Sequence, residues 1–499
     1  MVPEQVRKFL GKAPDGLLLE PGSSPGRHGR VAVVVRDRVA LRCLEVPDGV
    51  VARAVAVFVE HGPGPVTVVP PPTWPRLTRQ RARPAAGGWL TVLRFASDVE
   101  VAAVLGEVGR QAVYGGSGEL WSVSRQRTDH KSPLTRLDAR TLNPIGFDPT
   151  ATGPVVDAAT LDFRDGATER LVDELRTAAG LRVASWDDAT TLAVRGLAMA
   201  GVPITAATAP AEALGEDVAA AIGAPVDLED PLAREEHSLV LRRAALDAYA
   251  PTGQPAVSIV LATRRPDMLD FAVGQVARQQ GVDALELVLA PHGFDVDGAQ
   301  VRDRLGPDTA LRITPQPEDT IFGEVLDAAA RAADGDVILK MDDDDWYAPD
   351  AVADLLRARA YSGADLVGMP PEFHYLEERD LTVRRGHPSE RYATFVAGGT
   401  MMVERSVLRE VVGFRPVRKY VDAQLLSAVL AAGGAIYRTH GLGYLLRRTS
   451  SGHTWQVDLD YLLDPDRVAA TYEGFRPSRL MGRLRKPTDP SPPGRPMEP

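Results

Sequence analysis

The sequence predicts an α/β protein: a mostly parallel sheet with helices on both faces over residues 251–465, preceded by a smaller strand-rich α+β region over 1–150 and an α/β segment over 151–250. Three observations carry this. In the second half, short apolar runs alternate with stretches of helical periodicity, the pattern of successive strand–helix units. The run Val257-Ser-Ile-Val-Leu-Ala262 is nearly all apolar, as expected of a parallel strand buried on both faces. The 40 prolines and 45 glycines gather between such runs and mark the seams.

In the first region, β-branched runs at 31–35, 55–59 and 90–95 read as strands separated by Pro- and Gly-rich turns such as 69–75, with a helix near 98–113. The second region reads as helix 168–179, strand 181–185, helix 188–200 and strand 202–206. Residues 232–248 space apolar side chains at helical intervals with Glu and Arg between them, an amphipathic helix leading into the next unit that Pro251–Pro255 closes off. There the order is strand 257–262, helix 267–279, strand 285–289, helix 321–334, strand 336–341 and helix 349–360, joined by right-handed crossovers. Residues 466–499 read as a disordered, Pro-rich tail. After Phe475 it holds six basic residues (Arg476, Arg479, Arg483, Arg485, Lys486, Arg495) against Asp489 and Glu498.

At 499 residues the chain has room for about three domains. With 44% hydrophobic and 25% charged residues it is neither disordered nor fibrous. The 57 Lys and Arg against 67 Asp and Glu give a net charge of −10, which disfavours a nucleic-acid partner or a general polyanion binder. A single cysteine, Cys43, excludes an intrachain disulfide and a thiolate metal cluster and fits a reducing compartment. The first residues lack a signal-like apolar core, and no stretch approaches the ~20 apolar residues of a spanning helix. The expectation is a cytoplasmic protein, not membrane-embedded, whose basic tail allows peripheral contact with the inner face of the plasma membrane.

Ligands of parallel sheets bind beyond the carboxyl ends of the strands, which directs attention to 263–265 and 342–345. The second stretch belongs to Met341-Asp-Asp-Asp-Asp-Trp-Tyr-Ala-Pro-Asp350. Four adjacent carboxylates repel one another, and a hard divalent cation would offset that; Mg²⁺ takes one or two carboxylates together with substrate phosphates. The alternative is a solvated acidic turn with Asp350 capping the next helix.

At this point the sequence resembles the family 2 glycosyltransferases of the GT-A fold. The segments that carry the resemblance are VSIVLATRRP at 257–266, MDDDDWYAPD at 341–350, AGGTMMVERSVL at 397–408, VGFRPVRKYVDAQLL at 412–426 and SGHTW at 451–455. It implies a nucleotide-diphospho-sugar transferase domain over about 250–465, with Ala262, Thr263, Arg264 and Arg265 beside the nucleotide and Asp342 and Asp343 on its ribose edge. It also implies Mn²⁺ or Mg²⁺ held by Asp342, Asp344 and His453, and Asp422 as catalytic base. Asp422 equally fits the N-cap of a helix at 423–432, and both roles are compatible. The resemblance implies a nucleotide-sugar donor, a glycan or lipid-linked acceptor, inversion of configuration and a place in cell-surface glycan or exopolysaccharide synthesis. Two departures stand out: the second strand runs into Pro291-His-Gly293 where relatives place a base-gripping Asp, and no Arg-Asn pair precedes the Asp strand. They motivate a second reading, a non-catalytic scaffold or sensor derived from such a domain; a nucleotidyltransferase ranks third.

Arg384-Arg385 with His387, and Arg447-Arg448, suit phosphate oxygens, with solvated surface as the plainer reading for the first pair. Trp346 and Trp455 suit either a sugar-stacking face or packing supports.

Overall fold

A computed structural model of the chain describes residues 2–11, 15–20, 23–36, 41, 44, 46–60, 74–85, 87–111, 153–164, 166–167, 169–175, 177–249, 254–431, 434–449 and 459–484. Cys43, His453 and Trp455 lie outside the described residues.

The first region is a five-stranded sheet in the order Gly16–Leu18, Gly26–Val35, Val50–Val59, Gly88–Glu100, Leu77–Ala85. Strand alternation divides its apolar residues between two faces. Val31, Val33, Val55, Val57 and Val59 pack with Val101, Val104, Leu105 and Val108 of helix Val101–Gln111. Ala32, Ala56 and Phe58 pack on the other face with Val6 of helix Glu4–Leu10.

The second region is a three-stranded parallel sheet of Gly153–Asp157, Ala178–Arg182 and Ile204–Thr205. Its first helix, Glu169–Leu175, stops four residues short of the sequence-based end at 179. Ala178 and Ala179, good helix formers, are instead buried in the strand, because pairing with 153–157 outweighs the propensity of two alanines.

The third region holds an eight-stranded sheet, in the order Thr309–Ile313, Leu285–Pro291, Val257–Thr263, Val337–Met341, Met402–Glu404, Leu366–Gly368, Ile436–Arg438, Arg391–Tyr392. The first four are parallel, and Met402–Glu404 runs against both of its neighbours. A second sheet leans on it, in the order Trp346–Tyr347, Tyr444–Arg448, Phe373–Leu376, Leu381–Arg384, Ala470–Glu473. The last of these strands falls within the segment expected to be a disordered tail. Net charge and proline content set that expectation, yet a few residues find specific sockets. Strand Ala470–Glu473 pairs with Leu381–Arg384, and the Phe475 ring lies 4.9 Å from both Trp346 and Tyr375. Arg479 meets Glu236 at 2.7 Å, and Met481 is buried.

Helix Pro231–Tyr249 departs most from its amphipathic expectation. Arg234, Glu235, Glu236, His237, Ser238 and Arg242 are all buried. Three charges of this helix are matched across the contact with the third region: Glu235 with Arg384 at 2.5 Å, Arg242 with Glu390 at 2.8 Å, and the half-buried Arg243 with Asp354 at 2.5 Å and Asp350 at 2.9 Å. A single hydrophobic cluster runs from Ala158 through Leu246 to Met481, so the second and third regions share one core.

Candidate active site

Strands Val257–Thr263 and Val337–Met341 are parallel neighbours in the middle of the large sheet, and the chain visits Leu285–Pro291 and Thr309–Ile313 on one side before crossing to the other. That reversal opens a crevice at the carboxyl ends of the two strands, the position expected for a ligand. Thr263 and Arg265 emerge from one strand and residues 342–345 from the other. They touch: the Thr263 hydroxyl donates to Asp343 Oδ2 at 2.5 Å, and Arg265 donates through Nε to the same oxygen at 3.1 Å and through Nη1 to Asp344 Oδ2 at 3.0 Å. A further Arg265 nitrogen bonds Asp343 Oδ1, completing a fork. Ala262 stays within its strand, paired with Ala290. Arg264 turns away, donating from Nε to His292 Nδ1 at 3.0 Å and from Nη2 to the Glu318 carbonyl.

The four aspartates have three settings. Asp343 and Asp344 face Arg265. Asp345 is buried, accepting from the Tyr444 hydroxyl at 2.5 Å and the Arg447 backbone N–H at 2.9 Å. Burial, followed by repulsion from Asp344 and Asp342, pushes its carboxyl well above the usual range. Asp342 accepts from Lys340 Nζ at 2.7 Å, and its carboxyl is also raised, by burial first and by Asp422 among the remaining charges.

Lys340 is the residue the sequence reading passed over. It stands in the otherwise apolar strand Val337–Met341 and is 3% exposed. Its ammonium reaches Asp342 on one side and lies 3.3 Å from Asp422 Oδ1 on the other. A charged residue in a wholly buried strand needs a partner, and that was the available signal. Lys340→Met is expected to lower stability by about 2–3 kcal/mol, the loss typical of hydrogen bonds to charged groups, read as an earlier urea transition.

Asp422 sits in the first turn of helix Val421–Ala431, so it lies inside the helix rather than at the N-cap. The helix starts two residues earlier than expected because Val421 is drawn into the apolar cluster with Leu425 and Val429. Among the described residues, Asp422 Oδ1 accepts no hydrogen bond.

Gly398 and Gly399 explain the Gly-Gly segment. A Cβ on Gly398 would collide with the Asp422 carboxylate, and one on Gly399 would stand 2.8 Å from the Tyr347 and Tyr444 hydroxyls and 2.9 Å from Asp342 Oδ2. Tyr347 fixes this wall by accepting from the Asp342 backbone N–H and donating to the Gly399 carbonyl, each at 2.9 Å. Gly398→Ala is expected to displace the Asp422 carboxylate and, with Asp422 as the catalytic base expected from the sequence, to reduce turnover about 100-fold, the scale associated with ångström-level misplacement of a reacting group, with the thermal melt checking that the fold persists.

The remaining candidates sort into two groups. Trp346 is 1% exposed and packs edge-on to Phe271 and Tyr375, so it supports the site from behind and offers no sugar-stacking surface. Arg384 is buried between Glu235 and Glu372, not on a solvated surface, and Arg447 pairs with Glu377 at 2.8 Å. Among the described residues, no three His, Cys, Asp or Glu side chains converge to hold a metal ion. Asp342 and Asp344 are nevertheless a hard, oxygen-only pair in a cluster short of positive charge, a set that suits Mg²⁺ or Mn²⁺ when phosphate oxygens and water supply the other positions.

Residues 259–426 match the family model for glycosyl transferase family 2. No curated protein matches the chain. Among solved structures, the mannosyltransferase PcManGT from Pyrobaculum calidifontis, in complex with GDP-Man and Mn²⁺, is similar over 41% of this chain and 60% of that one, with 17% identity and a TM-score of 0.33. S. aureus TarS 1–349 in complex with UDP-GlcNAc is similar over 42% and 63%, with 12% identity and a TM-score of 0.32. This chain thus spans 60 to 63% of the length of these two structures. The parallel sheet, the crevice at its switch point and the family match together identify residues 259–426 as a glycosyltransferase family 2 domain of the GT-A type.

Proposed function

We propose that the protein transfers a sugar from a nucleotide-sugar donor to a hydroxyl of a glycan or lipid-linked acceptor, with inversion, in cell-surface glycan synthesis. The observation that carries this is the bridge Asp342–Lys340–Asp422: one buried ammonium joins the carboxylate at the ligand crevice to the carboxylate suited to deprotonate an acceptor. The donor lies over the ends of the two central strands, with Thr263, Arg265, Asp342 and Asp343 on its nucleotide side. A divalent cation held by Asp342 and Asp344, with His453 as the third expected ligand, would neutralise the departing diphosphate. Asp422 removes the acceptor proton as the new bond to the anomeric carbon forms and the bond to the diphosphate breaks. One carboxylate on the face opposite the leaving group suffices for a single displacement, hence inversion.

The test is a thermal-shift panel of UDP, GDP, UDP-GlcNAc and GDP-Man, each with and without Mn²⁺, since a ligand of the native state raises apparent stability. At least one nucleotide is expected to raise the melting temperature only when the cation is present. A flat response to every nucleotide in both conditions rules the reading out.

A further inference from the structure

Between Glu60 and Asp98 the sequence holds five arginines, Arg76, Arg79, Arg81, Arg83 and Arg94, and no carboxylate, in a chain whose net charge is −10. The sheet of the first region sorts four of them onto one surface. Side chains two residues apart on a strand share a face, so Arg79, Arg81 and Arg83 stand in a row on the edge strand Leu77–Ala85, about 7 Å apart. The register sets Arg79 directly opposite Arg94 of the neighbouring strand, Arg81 opposite Val92 and Arg83 opposite Leu90. Leu90 and Val92 belong to the face on which helix Glu4–Leu10 packs through Val6, so the row and the helix share that face. The helix carries Arg7 and Lys8 on its exposed side, with Glu4 paired to Lys8 at 2.6 Å.

Arg79, Arg81, Arg83 and Arg94 are all exposed, and among the described residues none of the four is paired with a carboxylate. Asp98, the first carboxylate after Arg94 on its strand, is taken by Arg27 and Arg53. Like charges directly opposite across two strands are unfavourable, and Arg79 and Arg94 hold that position without a counter-charge. Blunting a sheet edge against other strands needs a charge of either sign, and does not explain why the inner strand repeats the positive charge at the same level. The arrangement suits a partner that brings the negative charge. Single-stranded nucleic acid is a poor match, since it is held by aromatic platforms in a basic groove, whereas Thr78, Gln80, Ala82 and Pro84 alternate with the arginines here. An anionic bilayer matches better. Its headgroups attract clustered Lys and Arg, and the attraction fades within a Debye length, so a cluster on one face acts even where the chain as a whole is acidic. The tail, the segment expected from the sequence to make such a contact, commits Arg479 to Glu236 instead.

We propose that Arg79, Arg81, Arg83 and Arg94, extended by Arg7 and Lys8, form a docking surface for an anionic phospholipid membrane. Guanidinium forks match the phosphate oxygens of the headgroups in geometry and charge. A lipid-linked acceptor would be met at such a surface; that use of the contact rests on the function proposed above, and binding to the bilayer does not.

Co-sedimentation of the full-length protein with vesicles of phosphatidylcholine alone, and of phosphatidylcholine with an equal part of phosphatidylglycerol, tests this. The wild type is expected to bind the anionic vesicles and not the neutral ones, and to lose that binding as salt is raised. An arginine near an anionic surface is worth about fivefold in affinity, so Arg79→Gln, Arg81→Gln and Arg83→Gln combined are expected to weaken binding about 100-fold, while the three Lys replacements, which keep the charge, stay within about threefold of the wild type. Arg94→Gln is expected to weaken binding about fivefold and, because it relieves the like-charge pair, to melt no lower than the wild type. Neutralising Arg483, Arg485 and Lys486 of the tail is expected to leave vesicle binding unchanged. Equal binding to neutral and anionic vesicles, or full binding by the triple Gln variant, overturns the surface. Capture of a single-stranded or duplex oligonucleotide that is lost in the triple Gln variant, with no binding to either vesicle, overturns the choice of lipid. Nucleotide binding in the presence of Mn²⁺ is expected to be the same in the wild type and the triple Gln variant, and a flat nucleotide response beside intact vesicle binding would tell against the transfer reaction alone.

Discussion

Asp422→Asn is expected to lower kcat by about 100- to 10,000-fold, the range supplied by a positioned general base, while leaving nucleotide binding in the presence of Mn²⁺ unchanged. The amide has nearly the shape of the carboxylate, so the close approach of Gly398 is preserved and only the proton acceptor is lost. Two surroundings bear on the carboxylate in its proposed role. The first turn of helix Val421–Ala431 favours negative charge. Lys340, 3.3 Å from Oδ1, holds the side chain toward Asp342 rather than letting it swing into solvent. Steady-state kinetics paired with calorimetry checks this. Wild-type-like turnover in the variant removes Asp422 from the chemistry. Wild-type protein that binds nucleotide and transfers nothing to any acceptor favours the scaffold reading.

The largest stability effect is expected from Arg242→Met. Arg242 and Glu390 are 4% and 1% exposed, and the Glu390 carboxylate also accepts from the Tyr361, Tyr437 and Thr439 hydroxyls at 2.8, 3.0 and 2.9 Å. Removing the guanidinium leaves a carboxylate buried without its counter-charge, which costs about 3–5 kcal/mol. The outcome to look for is a markedly lower urea midpoint, partly restored by adding Glu390→Gln, because the neutral amide oxygen can still accept from Tyr361 and Tyr437 while its NH2 donates to the Thr439 hydroxyl oxygen. A double variant no better than Arg242→Met would mean that packing of the arginine stem, rather than charge, holds the helix.

Much of the half that holds the family 2 match is legible from order alone. Val257-Ser-Ile-Val-Leu-Ala262 names its strand because a strand covered on both faces tolerates almost no polar residue, and the Asp run announces itself at a strand end because few structural roles need four carboxylates together. Lys340 stayed hidden for the converse reason: its partners are 2 and 82 residues away along the chain, and only folding brings Asp422 to it. The same holds for helix Pro231–Tyr249. Its Glu and Arg residues look like a solvated face until Arg384, Glu390 and Asp354, more than 100 residues downstream, are seen to meet them.

Helix Pro231–Tyr249 also sets how the half that holds the family 2 match can be handled. The family match begins at residue 259, and a fragment cut there would look self-sufficient. Such a fragment would leave Arg384, Glu390 and Asp354 facing water where Glu235, Arg242 and Arg243 now sit, and would uncover the apolar surface shared with the second region. Ending it at 465 would also strip strand Ala470–Glu473 and Phe475 from the sheet behind the site. The portable unit is therefore longer than the recognisable one: expression, swapping or directed evolution of the family 2 domain has to carry residues from about 153 to 484 together.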